Sequence, residues 1–159
     1  MSALPPSAVR AVVQSEWPGA LAWADRNGWT VALDLDRLRL RASTEHPAAH
    51  RPVEFLALLD GYKALPPAWH VVAPGTDSDA GREDFPRPGG NSIFHGNLVL
   101  CAPWNRLAYK SVNPQGLHSD WGGPEGWLSV AGPHTTAHTL GDMLAVIDVF
   151  FQMSPGMMA

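Results

Sequence analysis

Only one cysteine, Cys101, occurs in the 159 residues of this chain. A single thiol excludes an internal disulfide and any zinc site built on several cysteines, and it suits a reducing compartment. Charge is also scarce. Eleven Lys and Arg stand against fifteen Asp and Glu, a net charge of −4, and no basic run is present to track a phosphate backbone. Nucleic acid is therefore not an expected partner. Long apolar runs are missing too. Pro5 and Pro6, then Arg10 and Glu16, interrupt the stretch that a signal peptide would need. The most apolar late segment, Leu140 to Met153, carries Asp142 and Asp148 and is too short to span a bilayer. These gaps lead to the expectation of a soluble cytoplasmic protein without a membrane partner. Neither G-x-x-x-x-G-K-[ST] nor G-x-G-x-x-G is present, so no nucleotide cradle is expected in the chain itself.

What is present is fifteen Pro, fifteen Gly and seven Trp, the composition of a loop-rich domain whose long connections are packed by aromatic side chains. The length suits one domain over residues 1–159, large enough for a core without staples. Ser7 to Asp25 reads as helical. Pro18-Gly19 either divides it in two or kinks it. From Trp29 to Ser43 apolar and polar residues alternate, with a change of phase at Asp36-Arg37 that marks a tight hairpin or a bulge. Pro52 to Leu59 and Ala68 to Ala73 are the next strand candidates, separated by a stiff connection through Pro66 and Pro67. Ser92 to Ala102 reads as a short hairpin folded at His95-Gly96-Asn97, with Gly96 available for a positive φ. Two irregular regions, 74–91 and 103–137, flank it. Leu140, Met143, Leu144, Ile147, Phe150 and Phe151 then form one helical face, with Thr139 and Asp142 at its start and Pro155-Gly156 after its end.

Cys101 closes the apolar run Leu98 to Cys101. A lone cysteine there serves as a small core hydrophobe or, where polar partners surround it, as a nucleophile. The segment order bears on that choice. A helix, a four-strand meander, a loop region around one cysteine and an amphipathic helix resemble the ubiquitin-conjugating (E2) fold, and most closely the divergent E2-like proteins of bacteria. Gly61-Tyr62 with Leu65-Pro66-Pro67 resembles the family's Tyr-Pro…Pro-Pro segment, and His95-Gly96-Asn97 its His-Pro-Asn motif. Leu98 to Cys101 is similar to the approach to the catalytic cysteine. Trp127, Thr139-Leu140 and Pro155 match the family's Trp…Thr-Leu…helix…Pro ending. Departures are also visible. Gly96 stands where the family has proline, three residues separate Asn97 from Cys101, the stretch from Cys101 to Trp127 is expanded, and the last helices of eukaryotic members have no counterpart.

The resemblance implies an α+β UBC-like fold and an E2-type acyltransferase. Cys101 is then the nucleophile that takes a ubiquitin-like protein from an E1-like adenylating enzyme as a thioester and passes it to an amine or hydroxyl acceptor protein. ATP is consumed by the adenylating partner, and no cofactor is expected in this chain. Asn97 is the residue implied for an oxyanion or loop-supporting role. Its His-Gly-Asn setting is equally good turn chemistry. An acceptor must lose a proton, for which His95, His118, Asp120 and His134 are candidates without spacing evidence to choose among them. Two other classes stay open. His134 and His138, one helical turn apart, with His118, give a zinc-binding alternative, though His46 and His50 repeat that spacing in a plain loop. A non-catalytic UBC- or RWD-like interaction module is the other, and it requires an inert, buried Cys101.

Overall fold

A computed structural model describes residues 4–132 and 136–159. The fold is α+β: helix α1 (Pro6–Asn27), strands β1 (Thr30–Asp34), β2 (Arg39–Glu45), β3 (Pro52–Leu58) and β4 (Ala68–Val72), a long region with three short 3-10 turns, and helix α2 (Leu140–Gln152). The strands form one antiparallel sheet in the order β1-β2-β3-β4, a plain meander. Among the described residues no helix is long and apolar enough to cross a membrane.

α1 runs unbroken through Pro18. Its buried residues, Val9, Val13, Ala20 and Ala24, keep one stripe on both sides of the proline, so burial of that stripe outweighs the lost backbone donor. Gly28 ends the helix at φ 73°, the left-handed geometry that favours glycine. The phase shift at Asp36-Arg37 is the β1–β2 turn. Register then aligns Leu40 with Ala57 and Ala57 with Trp69, and beside them Ala42 with Phe55 and Phe55 with Val71. All six residues are buried on one face of the sheet. Phe151 of α2 stands edge-on to Phe55 at 6.1 Å, with Trp29 and Phe94 packed around the pair, which places the core between α2 and the sheet. The six apolar positions expected on α2 are its six buried residues.

Polar groups lock the helices to this core. Glu16 on α1 accepts the Leu140 N–H at 2.8 Å and the Tyr62 hydroxyl at 2.8 Å, and pairs with Lys63 at 3.0 Å. Thr139 Oγ1 accepts the Asp142 N–H, so two free donors of the first turn of α2, those of Leu140 and Asp142, are met by the neighbouring helix and by its own cap.

His46, in what reads as a plain loop, is fully buried. Its Nδ1 accepts the N–H groups of Ala48 and Ala49 at 3.1 and 3.0 Å, which leaves the proton on Nε2 to be donated to Ser154 Oγ at 2.8 Å. That bond clasps the end of α2 to the β2–β3 turn, and Ser154 Oγ in turn donates to the Arg87 carbonyl at 2.7 Å, in the region after β4. Burial holds the His46 pKa below the usual range for histidine. Its neutral form therefore belongs to the folded state, and the unfolded state takes up the extra proton below about pH 6.5. His46→Ala is expected to cost about 2–4 kcal/mol at pH 8. The gap to the wild type should narrow at pH 5, where the wild type alone loses the histidine contribution. Urea midpoints at the two pH values measure both effects. An unchanged gap would remove His46 from the account.

Candidate active site

The hairpin that carries Cys101 is built around a Phe94–Leu100 bridge, and the Cys101 N–H donates to the Ile93 carbonyl at 2.8 Å. Leu98 N–H closes the turn onto the His95 carbonyl at 2.9 Å. The positive φ of this turn falls on Leu98, at 65°, and not on Gly96. Leu98 thus takes the left-handed position in a three-residue loop between His95 and Val99, whose own bond, His95 N–H to the Val99 carbonyl, is 3.3 Å. Leu100 enters the core, fully buried, while Cys101 stays partly exposed.

Opposite it, residues 109–118 form a closely bonded loop. The His118 N–H donates to Ala108 and its carbonyl accepts from Lys110, at 3.2 and 3.0 Å. Asn113 donates to the Leu107 carbonyl and accepts from the Gln115 N–H. Gly116 passes so near the Tyr109 backbone that a Cβ would lie 2.7 Å from its carbonyl carbon. Only glycine allows that approach.

This loop delivers His118 to the thiol. Its Nε2 is 3.0 Å from Cys101 Sγ, and its Nδ1 is 2.9 Å from Asp120 Oδ1. With the Nδ1 proton donated to the carboxylate, Nε2 presents a lone pair to the S–H. A nucleophile, a base and a group that orients the base thus stand in line, the geometry of a nucleophile triad. The indole of Trp121 lies flat on His118, 3.6 Å between ring centroids and 3° between planes.

The electrostatics fit a thiol that is neutral at rest. Burial first, then the negative charge of Asp120, push the Cys101 pKa up to about 11. The hydrogen bond from His118 holds the Asp120 carboxyl below its usual range, and as an exposed group it stays charged at neutral pH. A neutral thiol needs a base at the moment of attack. His118 is the base within reach.

The other sequence-derived candidates fall into distinct places. His95 is half-buried beside His118, and burial, followed by the electrostatic influence of that neighbouring imidazole, holds its own below the ordinary range. Asn97 donates through Nδ2 to the Gln115 carbonyl, tying the cysteine hairpin to the histidine loop. Its Oδ1 is buried without a hydrogen-bond partner among the described residues. Trp104 and Trp127 are buried in the core. His138 stands edge-on to Trp127 at 6.0 Å. His134 lies outside the described residues. Among the described residues no group of three or more His, Cys, Asp or Glu is placed to hold a metal ion.

Two contributors were not singled out from the sequence. Trp121 follows directly on His118 and Asp120, and the run His118-Ser119-Asp120-Trp121 was the available signal. Asn105 has no such signal. It is fully buried, accepts the Trp69 N–H at 2.8 Å, and donates to the carbonyls of Leu100 and Trp69 at 2.8 and 3.3 Å. One side-chain amide thereby completes the free edge of β4 and fixes the residue before Cys101. No family model, curated protein or solved structure matches this chain.

Proposed function

We propose that this protein is an E2-like acyl carrier that accepts a ubiquitin-like protein from an E1-like adenylating enzyme as a thioester on Cys101 and transfers it to an amine or hydroxyl acceptor. The observation that carries the proposal is the 3.0 Å contact of Cys101 Sγ with His118 Nε2, with Asp120 on the far nitrogen. The frame supports it. A helix, an antiparallel meander, a cysteine-bearing loop region and a packing helix follow in the order that the UBC-like resemblance implies.

In the first transfer the Cys101 S–H proton passes to His118 Nε2 while sulfur attacks the thioester carbonyl carbon on the adenylating partner. The tetrahedral intermediate collapses, the partner's sulfur leaves, and His118 returns the proton to it. In the second transfer the acceptor N–H or O–H gives its proton to His118 as it attacks the Cys101 thioester. Cys101 then departs and recovers the proton. Asp120 stabilises the imidazolium of both steps and does not itself take the proton. ATP is spent by the adenylating partner, and the chain needs no cofactor of its own for either step.

Thioester capture tests this. The protein is incubated with ATP and a soluble lysate of its source organism, and wild type and Cys101→Ala are compared on reducing and non-reducing gels. An ATP-dependent, thiol-sensitive adduct that requires Cys101 is the expected result, and its mass identifies the modifier. Absence of any adduct overturns the carrier reading, and resistance of native Cys101 to alkylation as well would remove thiol chemistry altogether.

The same triad favours a second reading, a thiol hydrolase in which His118 directs water at the thioester. The lifetime of the adduct separates them. A carrier holds it until an amine or hydroxyl acceptor is added, whereas a hydrolase loses it to buffer alone.

A further inference from the structure

His118 is held at its edge by two groups, Cys101 on Nε2 and Asp120 on Nδ1. Two edge contacts still leave the ring free to tilt about the line that joins them. The third restraint is the flat indole of Trp121 at 3.6 Å. Trp121 is itself braced by Tyr109, whose ring stands edge-on to it at 5.5 Å. Tyr109 is fully buried and donates its hydroxyl to the Pro103 carbonyl at 2.8 Å. The plane of the base is thus referred back to the core through two aromatic rings.

We propose that Trp121 is a positioning residue for the acyl transfer: its stack fixes the plane in which His118 reaches Cys101 and favours the imidazolium created when the thiol proton arrives. The face of an indole is electron-rich and attracts a cation more strongly than a neutral ring. The stack therefore gains strength as the proton moves, which is the condition for an interaction to lower a barrier and not merely bind the ground state. The other titratable groups facing His118 are Cys101, Asp120 and His95. Asp120 favours the same cation, and His95 in its neutral form adds no opposing charge.

The inference rests on the reading of Cys101, His118 and Asp120 as a reacting unit. Its test needs neither the adenylating partner nor the modifier. Cys101 is the only thiol in the chain, so iodoacetamide consumption reports on it alone. At pH 7 Trp121→Leu is expected to slow alkylation about three- to tenfold, and Trp121→Phe, which keeps an aromatic face, to slow it less. The difference should shrink as pH approaches 11, where the thiol ionises without a base. In a His118→Gln background Trp121→Leu should have no further effect. A reduction that is constant with pH, one that persists in the His118→Gln background, or an acceleration through loosened access would each overturn the assignment. Urea midpoints of Trp121→Phe and Trp121→Leu verify that both are folded when the rates are read. If alkylation follows this pattern while thioester capture fails, the carrier function falls, and what stands is the positioning of His118 against the thiol by Trp121.

Discussion

Thioester formation on Cys101 is expected to slow about 100- to 10,000-fold at pH 7 when His118 is replaced by alanine, the usual range for loss of a positioned general base. The size follows from the state of the thiol. Burial and the Asp120 carboxylate hold the Cys101 pKa at about 11, so at neutral pH very little thiolate exists unless a base removes the proton during attack. Without His118 the reaction depends on that scarce thiolate. The variant's rate should then climb about tenfold per pH unit between pH 7 and 10. Single-turnover transfer from a preformed partner thioester, followed across that range, measures both the loss and the slope. A loss under tenfold, or a flat profile in the variant, would show that Cys101 is activated by something other than His118. Asp120→Asn should fall between the two, because the imidazole keeps its contact with the thiol but loses the charge that steadies its protonated form.

Asn105→Ala is expected to lower stability by about 3–5 kcal/mol, the largest structural effect of any single change considered. The side chain is fully buried and serves both the N–H and the carbonyl of Trp69 and the carbonyl of Leu100. Truncation strands those groups away from water and leaves a void beside Trp69 and Trp104, which meet edge-on at 6.3 Å. For a chain of this size the thermal midpoint should fall by roughly 10 °C. Asn105→Asp is an informative partner. It keeps the acceptor for the Trp69 N–H but sets a carboxylate oxygen against two carbonyls, so it should also destabilise. Calorimetry of both variants decides the matter. A change under about 1 kcal/mol in Asn105→Ala would mean that the edge of β4 finds other partners. Because Leu100 immediately precedes Cys101, folded Asn105→Ala should also show faster alkylation of a less firmly held thiol.

His46 and Asn105 show where reading from sequence reaches its limit. The apolar stripe of α2 was legible because a helix repeats every 3.6 residues and six large side chains obeyed that period. The alternation around β1 and β2 was legible for the same reason at a period of two. Pro18 was ambiguous locally, and the answer came from burial of Val9, Val13, Ala20 and Ala24 on one stripe, a tertiary fact. The turn at His95-Gly96-Asn97 was placed correctly, but its left-handed residue is Leu98. There the closure of the hairpin between His95 and Val99 sets the backbone, and glycine content does not reveal where the positive φ falls. His46 and Asn105 carry no pattern at all. Their roles come from partners 108 and 36 positions away.

By itself the sequence determined that one thiol would carry any sulfur chemistry and that helix, meander and helix follow in that order. Those are properties of residue counts and local periods. Which imidazole faces Cys101 was undetermined, since spacing along the chain does not choose among His95, His118 and His134. The tertiary structure chose His118, because the close approach at Gly116, the Asn113 turn and the pairing with Ala108 and Lys110 fold one loop back onto the cysteine hairpin. Those contacts close the loop on itself, and the bond from Asn97 Nδ2 to the Gln115 carbonyl, 18 positions away, seats it on the cysteine hairpin; a local period records nothing of such contacts.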